Sequence, residues 1–376
     1  MVTGTIATPD ITTGHLLAAQ LWAEVSHSLK PCSRAVTPGS SIRPDDLDAP
    51  WLFRPAPLIA KERDDGEHED KVCDSRLEGG RISEAPVRYV SADEDSGRWR
   101  RFRFRQGDIV ISARSKSGTT WLQTISALLI FQNPDLPAPL AELSPWLDWL
   151  VTPTAEVYAR LDAQQHRRFI KTHTPLDGIP IDRRATYIVV ARDPLDMAVS
   201  LYCQGDNLDR ARIRQLTGQP EPVGSPKARS PLHEWLLEWL DSEASPRDEM
   251  DSLPGVMWHL SDAWRRRHEP NIILMHYDDL LLDLPGEMQA LARRLGIEVP
   301  EQLWPRLVQA ATFKSMSSRA EKLAPDPAGI LKSRTAFFRR GVSGSGRELV
   351  TESEFARYRD RVGRMAPRHL VSWLLR

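Results

Sequence analysis

The sequence turns on residues 108–131, DIVISARSKSGTTWLQTISALLIF. Residues 108–113 form a short apolar run rich in Ile and Val, the pattern of a strand buried on both faces of a parallel sheet. Residues 114–118 make a polar loop with two serines, two cations and the single glycine Gly118. From Thr119 onward apolar side chains recur at helical spacing, with Trp121, Leu122, Ile125 and Leu129 on the buried stripe. A strand that passes through such a loop into a helix brings free N–H groups and the positive end of a helix dipole to one point, which attracts an anion. Lys116, Ser117, Thr119 and Thr120 add a charge and three hydroxyls there. The loop reads as a phosphate cradle in an α/β fold, with a central parallel sheet flanked by helices.

This cradle is not a Walker A loop, which requires G-x-x-x-x-G-K-[ST]. Here the lysine precedes the glycine by two residues, and no earlier glycine wraps a phosphate. Trp121, three residues past Gly118, offers a flat apolar face for a nucleobase. A second strand is expected at residues 169–170, in RFIKTHT (168–174), where Lys171 and His173 lie two apart and so share a face. A lysine and a histidine at the C-terminal end of a strand suit the open end of a doubly wound sheet, where ligands bind. Histidine can also take a proton near neutral pH. Residues 185–191 (ATYIVVA) and 271–276 (NIILMH) read as two further buried strands. The first runs into Arg192-Asp193-Pro194 and a helix carrying Ser200 on its second turn. Arginine offers the fork of donors that grips a phosphate in two places, although for Arg192 taken alone pairing with a nearby carboxylate is the favoured reading.

The string KSGTTW at 116–121 resembles the 5′-phosphosulfate loop of the cytosolic-type sulfotransferases, whose donor is 3′-phosphoadenosine 5′-phosphosulfate. The likeness continues through the chain. Lys171-Thr172-His173 resembles the family's catalytic strand, and Arg192, Asp193, Asp196 and Ser200 match its 3′-phosphate motif. Tyr277-Asp278-Asp279 resembles a strand ending of the family. Thr312 and Phe313 resemble its adenine-side segment. Arg339, Arg340 and Gly341 resemble its second 3′-phosphate element, in which Gly346 stands where a tryptophan is usual. Residues 144–148 and 161–175 are similar to actinobacterial glycolipid and aryl sulfotransferases in particular. The resemblance covers residues 87 to 376. It implies a P-loop-like sulfotransferase fold and a sulfuryl transfer from that donor to a hydroxyl of a small molecule or glycolipid. In this scheme His173 is the base, Lys116 stabilises the leaving oxygen and Lys171 holds the sulfuryl group. Lys116, Ser117, Gly118, Thr119 and Thr120 cradle one phosphate. Arg192, Ser200, Arg339, Arg340 and Gly341 take the 3′-phosphate, and Trp121, Thr312 and Phe313 take the base. Two cationic clusters are what a doubly phosphorylated adenosine needs. An ATP-dependent small-molecule kinase would not need the second. A non-catalytic binder of 3′-phosphoadenosine 5′-phosphate would not need His173.

Composition bounds the rest. The net charge of −1 gives no general attraction to nucleic acid or anionic lipid, so a basic site must be local. Cys32, Cys73 and Cys203 are odd in number and far apart, which fits a reducing cytoplasm better than a disulfide framework or a zinc site. Neither a metal cluster, a transmembrane run nor a signal peptide is expected. Residues 1–86 are broken by prolines and a charge run at 61–71, and read as a flexible extension with one helical pattern at 15–29. The compact domain is expected to span 87–376, opening with edge strands at 87–90 and 101–105. Trp146 and Trp149 are expected in the core, with the lining of an acceptor pocket as the alternative. The family's dimer motif is kept at Arg347 and Thr351 only, so its mode of dimerisation is not expected.

Overall fold

The computed structural model describes residues 85–222 and 228–376, which fall within one compact unit. The helical pattern at 15–29, Cys32 and Cys73 lie outside the described residues. Four parallel strands form the sheet: β1 (Ile109–Ser112), β2 (Phe169–Thr172), β3 (Thr186–Ala191) and β4 (Ile272–His276), in the order β2-β1-β3-β4. Register pairs Ser112 with both Thr172 and Val189, and Ala191 with His276, so the C-terminal ends of the strands lie side by side.

The strand sequences alternate between two cores. Val110, Ile170, Tyr187, Val189 and Ile272 pack on one face with helices Pro194–Asn207, Leu232–Asp241, Leu253–Arg265 and Glu352–Met365. Ile111, Phe169, Ile188, Val190 and Ile273 pack on the other with α1 (Thr119–Phe131), Leu284–Leu295 and Trp304–Ala311. Burial on both faces is why the strands read as continuous apolar runs rather than as alternation. At the opposite end of the sheet, Arg168 ahead of β2 grips Asp108 ahead of β1, Nε to Oδ1 at 2.9 Å, with both side chains buried.

The expected edge strands at 87–90 and 101–105 are absent. The chain there makes isolated bridges, Val90 to Asp95 and Glu94 to Trp149, around a 3₁₀ helix at Ser96–Arg101. The apolar positions of that segment serve a compact aromatic cluster instead, in which Trp99, Phe102 and Phe104 meet edge-on and stacked. The free edge of β2 is taken by residues 145–147. Lys171 N–H donates to the Pro145 carbonyl at 3.0 Å, and Leu147 N–H donates to the Lys171 carbonyl at 3.2 Å. A helix at Arg210–Thr217 was not expected. Its signals are nevertheless regular: Asp209 caps it by accepting the Arg212 N–H, and Gly218 ends it at φ 70°. Among the described residues no helix is long and apolar enough to cross a membrane.

Candidate active site

Each strand delivers its next residues to the same end of the sheet, the C-terminal edge where open α/β sheets bind ligands. Lys116 follows β1, Lys171 and His173 end β2, Arg192 follows β3 and Tyr277 follows β4. All five line one cavity of about 280 Å³.

The loop after β1 is shaped for close approach. Lys116 adopts φ 67° and Gly118 φ 115°, both in the left-handed region, which is uncommon for a lysine. A Cβ on Gly118 would also lie 3.0 Å from the Tyr277 ring. The turn aims the first amides of α1 at the cavity, where helix geometry leaves them without intrahelical partners. Gly118, Thr119 and Thr120 line it, and the buried Thr119 hydroxyl has no hydrogen-bond partner among the described residues. An orphan hydroxyl beside unpaired amides and a lysine fits a phosphate. Ser117 plays a different part: its hydroxyl is buried and donates to the Arg114 carbonyl at 2.6 Å, holding the loop's shape.

Lys116 Nζ lies 4.1 Å from the Phe337 ring centroid and 3.4 Å from Gln204 Oε1. Burial, then the like charges of Lys171, Arg192 and Arg339, push its ammonium down to about 7. Lys171 sits 3.7 Å over Trp146, and burial pushes it down to about 8 against the pull of Glu94, Asp148 and Asp251. His173 is buried, and desolvation with the nearby Lys171 and Arg114 holds it well below its ordinary value. Its ring is therefore neutral at pH 7. Nδ1 faces the Ala113 carbonyl, which can only accept, so the proton sits on Nδ1 and the lone pair is on Nε2. Trp146 meets the ring edge-on at 4.5 Å.

A second basic group lies across the cavity. Arg192 lines it while donating to the Lys116 carbonyl at 3.3 Å and the Val342 carbonyl at 2.7 Å, stacked 4.3 Å over Tyr277. The carboxylate pairing considered for Arg192 is only a loose approach, 3.7 Å to Asp196. Asp196 is occupied elsewhere: it accepts the N–H groups of Gly344 at 2.8 Å and Gly346 at 2.7 Å, fixing the loop that carries Arg339, Arg340 and Gly341. Gly341 has φ 64°, and a Cβ there would meet Phe313 at 2.2 Å, so only glycine lets this loop lie on the ring. Ser200, Arg339, Arg340, Trp121 and Phe313 all line the cavity. Trp121 is steadied by its indole N–H, which donates to the Ala311 carbonyl at 2.8 Å. Thr312 stays outside the lining, its hydroxyl capping Phe313–Ser318 by accepting the Ser315 N–H at 3.3 Å.

The remaining wall was read from the sequence only in part, as the alternative given for the two tryptophans of residues 145–150. Trp146 and Trp149, stacked at 4.6 Å, line the cavity rather than only filling the core. Glu94, Asp251, Leu208, Ile213 and Ile330 join them. These come from four separate segments, and no local spacing announces their meeting; the cap and glycine bracketing Arg210–Thr217 were the one available signal.

Residues 106–365 match the sulfotransferase domain family. A protein named glycolipid sulfotransferase from Mycobacterium bovis is 44% identical over 306 residues, 76% of this chain and 93% of that protein. Sulfotransferase 1A1 of Canis lupus familiaris is 26% identical over 266 residues, 68% of this chain and 82% of its own. Among solved structures, a mouse sulfotransferase complexed with PAP superposes with a TM-score of 0.54 at 20% identity, covering 74% of this chain and 91% of that one. Retinol dehydratase in a complex with retinol and PAP gives 0.52 at 21%, covering 70% and 82%. At these identities the two structures speak to the fold.

Proposed function

Because this chain belongs to the sulfotransferase family and is an enzyme of sulfuryl transfer to a hydroxyl, we propose that its donor is 3′-phosphoadenosine 5′-phosphosulfate and that His173 is its base. The observation that carries this reading is that a single cavity is lined at once by the Lys116 loop, by Arg192 with Arg339 and Arg340, by Trp121 and Phe313, and by His173. The amides at 118–120, the Thr119 hydroxyl and Lys116 would hold the 5′-phosphosulfate. Arg192, Ser200 and the loop at 339–341 would hold the 3′-phosphate. Trp121 and Phe313 would flank adenine, at about 1–3 kcal/mol per base contact. The bound donor supplies an activated sulfuryl group, and the chain positions and neutralises around it.

His173 Nε2 takes the proton from the acceptor hydroxyl as its oxygen forms the new O–S bond. Lys116 neutralises the phosphate oxygen that keeps the electron pair of the broken S–O bond. Lys171 holds the sulfuryl oxygens in line. A neutral imidazole fixed through Nδ1 is ready for this without prior deprotonation. The acceptor carries an apolar part, because the wall beyond His173 is Trp149, Leu208, Ile213 and Ile330. A glycolipid, as in the name of the mycobacterial relative, meets that description.

The test is transfer of labelled sulfate from the donor to phenols, sterols and glycolipids, with binding of 3′-phosphoadenosine 5′-phosphate and ADP compared by calorimetry. The bisphosphate should bind at least tenfold tighter than ADP. His173→Ala should keep that affinity and lose about 10²–10⁴-fold in turnover. Equal affinity for the two nucleotides, or undiminished turnover in the variant, would defeat the respective half of the reading.

A further inference from the structure

Glu94 lines the same cavity as His173 and has no part in the roles above. A tight turn places it there: Ser91 N–H donates to the Glu94 carbonyl at 2.9 Å, and Glu94 N–H donates to the Ser91 hydroxyl at 3.1 Å. Its backbone then bridges to Trp149, which sets the side chain beside the paired tryptophans. The residue is only 7% exposed, yet Oε2 has no hydrogen-bond partner among the described residues. The nearest cation, Arg114, stands 4.0 Å away, too far for a hydrogen bond. That arginine is already committed, donating to Asp251 at 2.7 Å and to the His173 carbonyl. A buried carboxyl left unmatched is a cost the fold does not recover by itself.

Burial also pushes the Glu94 carboxyl up to about 8, in spite of the pull of Arg114. A neutral carboxyl both donates and accepts, the complement of a hydroxyl. On the same wall Asp93, Asp251 and Arg210 add polar groups, while Leu208, Ile213 and Ile330 cluster with Trp149 as an apolar surface.

We propose that Glu94 positions the acceptor by hydrogen-bonding a hydroxyl other than the one sulfated, so that the site selects a sugar headgroup bearing an apolar chain over a simple phenol. This rests on the reading of the cavity as the sulfuryl-transfer site, and names what its acceptor end recognises. A polar group built to meet a hydroxyl discriminates against ligands that lack one, because it is then left buried and unpaired.

The experiment compares wild-type, Glu94→Gln and Glu94→Ala proteins with labelled donor and two acceptors, octyl β-D-glucoside and 4-nitrophenol. Calorimetry with 3′-phosphoadenosine 5′-phosphate and a thermal melt accompany each protein. Glu94→Ala should raise KM for the glucoside by about ten- to hundredfold, with kcat moved far less. Transfer to the phenol should fall by a much smaller factor, and nucleotide affinity and melting temperature should hold. Glu94→Gln, whose amide also donates and accepts, should recover most of the glucoside KM. Equal losses on both acceptors would overturn the proposal, as would a loss traced to nucleotide affinity or to stability. So would a wild-type enzyme that binds the nucleotide but sulfates only the phenol, or neither acceptor. Failure of the wild-type protein to bind the bisphosphate would instead strike the donor assignment, and this proposal with it.

Discussion

Binding of 3′-phosphoadenosine 5′-phosphate should draw a proton onto Lys116. In the free protein burial and three like-charged neighbours bring this ammonium down to about 7. A phosphate in the loop adds an opposite charge and raises it again. At pH 8 a group titrating near 7 is protonated in roughly a tenth of molecules, so binding there should take up about 0.9 proton per site; at pH 6 the share due to Lys116 should be about 0.1. Phosphate second ionisations lie near pH 6 and contribute little at pH 8. Lys171, at about 8, adds at most about half a proton, and only if the anion's field reaches it. The sign follows from the bound value exceeding the free one. Affinity is fully developed below pH 7 and weakens by up to about tenfold per unit above it, until pH passes the bound-state value. Calorimetry at pH 8 in two buffers of different ionisation enthalpy measures the uptake directly. Lys116→Arg, charged at every pH, should leave about half a proton or less. Identical heats in both buffers for the wild type, or full uptake in the Lys116→Arg protein, would refute the reasoning.

Gly341→Ala should weaken nucleotide binding about 5- to 150-fold by titration, since a positive φ and a 2.2 Å approach to Phe313 together force the loop or the ring aside, at about 1–3 kcal/mol. Asp196→Ala should both lower the melting temperature and weaken the nucleotide, because it leaves the buried Gly346 amide unmatched at about 1–3 kcal/mol and releases the Gly344 amide as well. Gly346→Trp, which restores the residue usual in the family, should destabilise this chain in a denaturant melt: a Cβ there would already meet Leu195 Cβ at 2.5 Å, and overpacking costs about 1–3 kcal/mol. Arg168→Met should cost about 3–5 kcal/mol of unfolding free energy by stranding the buried Asp108.

The parallel sheet, the Lys116 loop and Arg192 were legible because their signals are local, whereas Arg339, Arg340 and Gly341 came only through the family resemblance. Gly118 and Thr119 follow strand β1 within seven residues, and Arg192 follows directly on β3, so sequence spacing carries the geometry. Residues 87–105 misled because alternation of aromatic and charged side chains is the pattern of a half-buried strand, yet the β2 edge of the sheet is covered by residues 145–147. The acceptor wall was illegible for a related reason. Glu94, Ile213, Asp251 and Ile330 are brought together only by tertiary packing, and nothing in their immediate neighbours distinguishes them from ordinary loop residues. Gly346 shows how a departure from the family's pattern can be misjudged. Its amide is held by Asp196 and its Cα lies against Leu195, so the missing side chain is what the contact requires.

The position of Arg192 bears on how nucleotide affinity is built. One guanidinium ties the carbonyl of Lys116 to that of Val342, with its carbon 4.3 Å from the centre of the Tyr277 ring. On the proposed assignment, movement of either anion-binding end should disturb the other, and their contributions to affinity should not be additive. Adenosine monophosphates bearing a single phosphate, at either the 3′ or the 5′ position, should therefore recover less than their separate shares of the binding free energy of the bisphosphate.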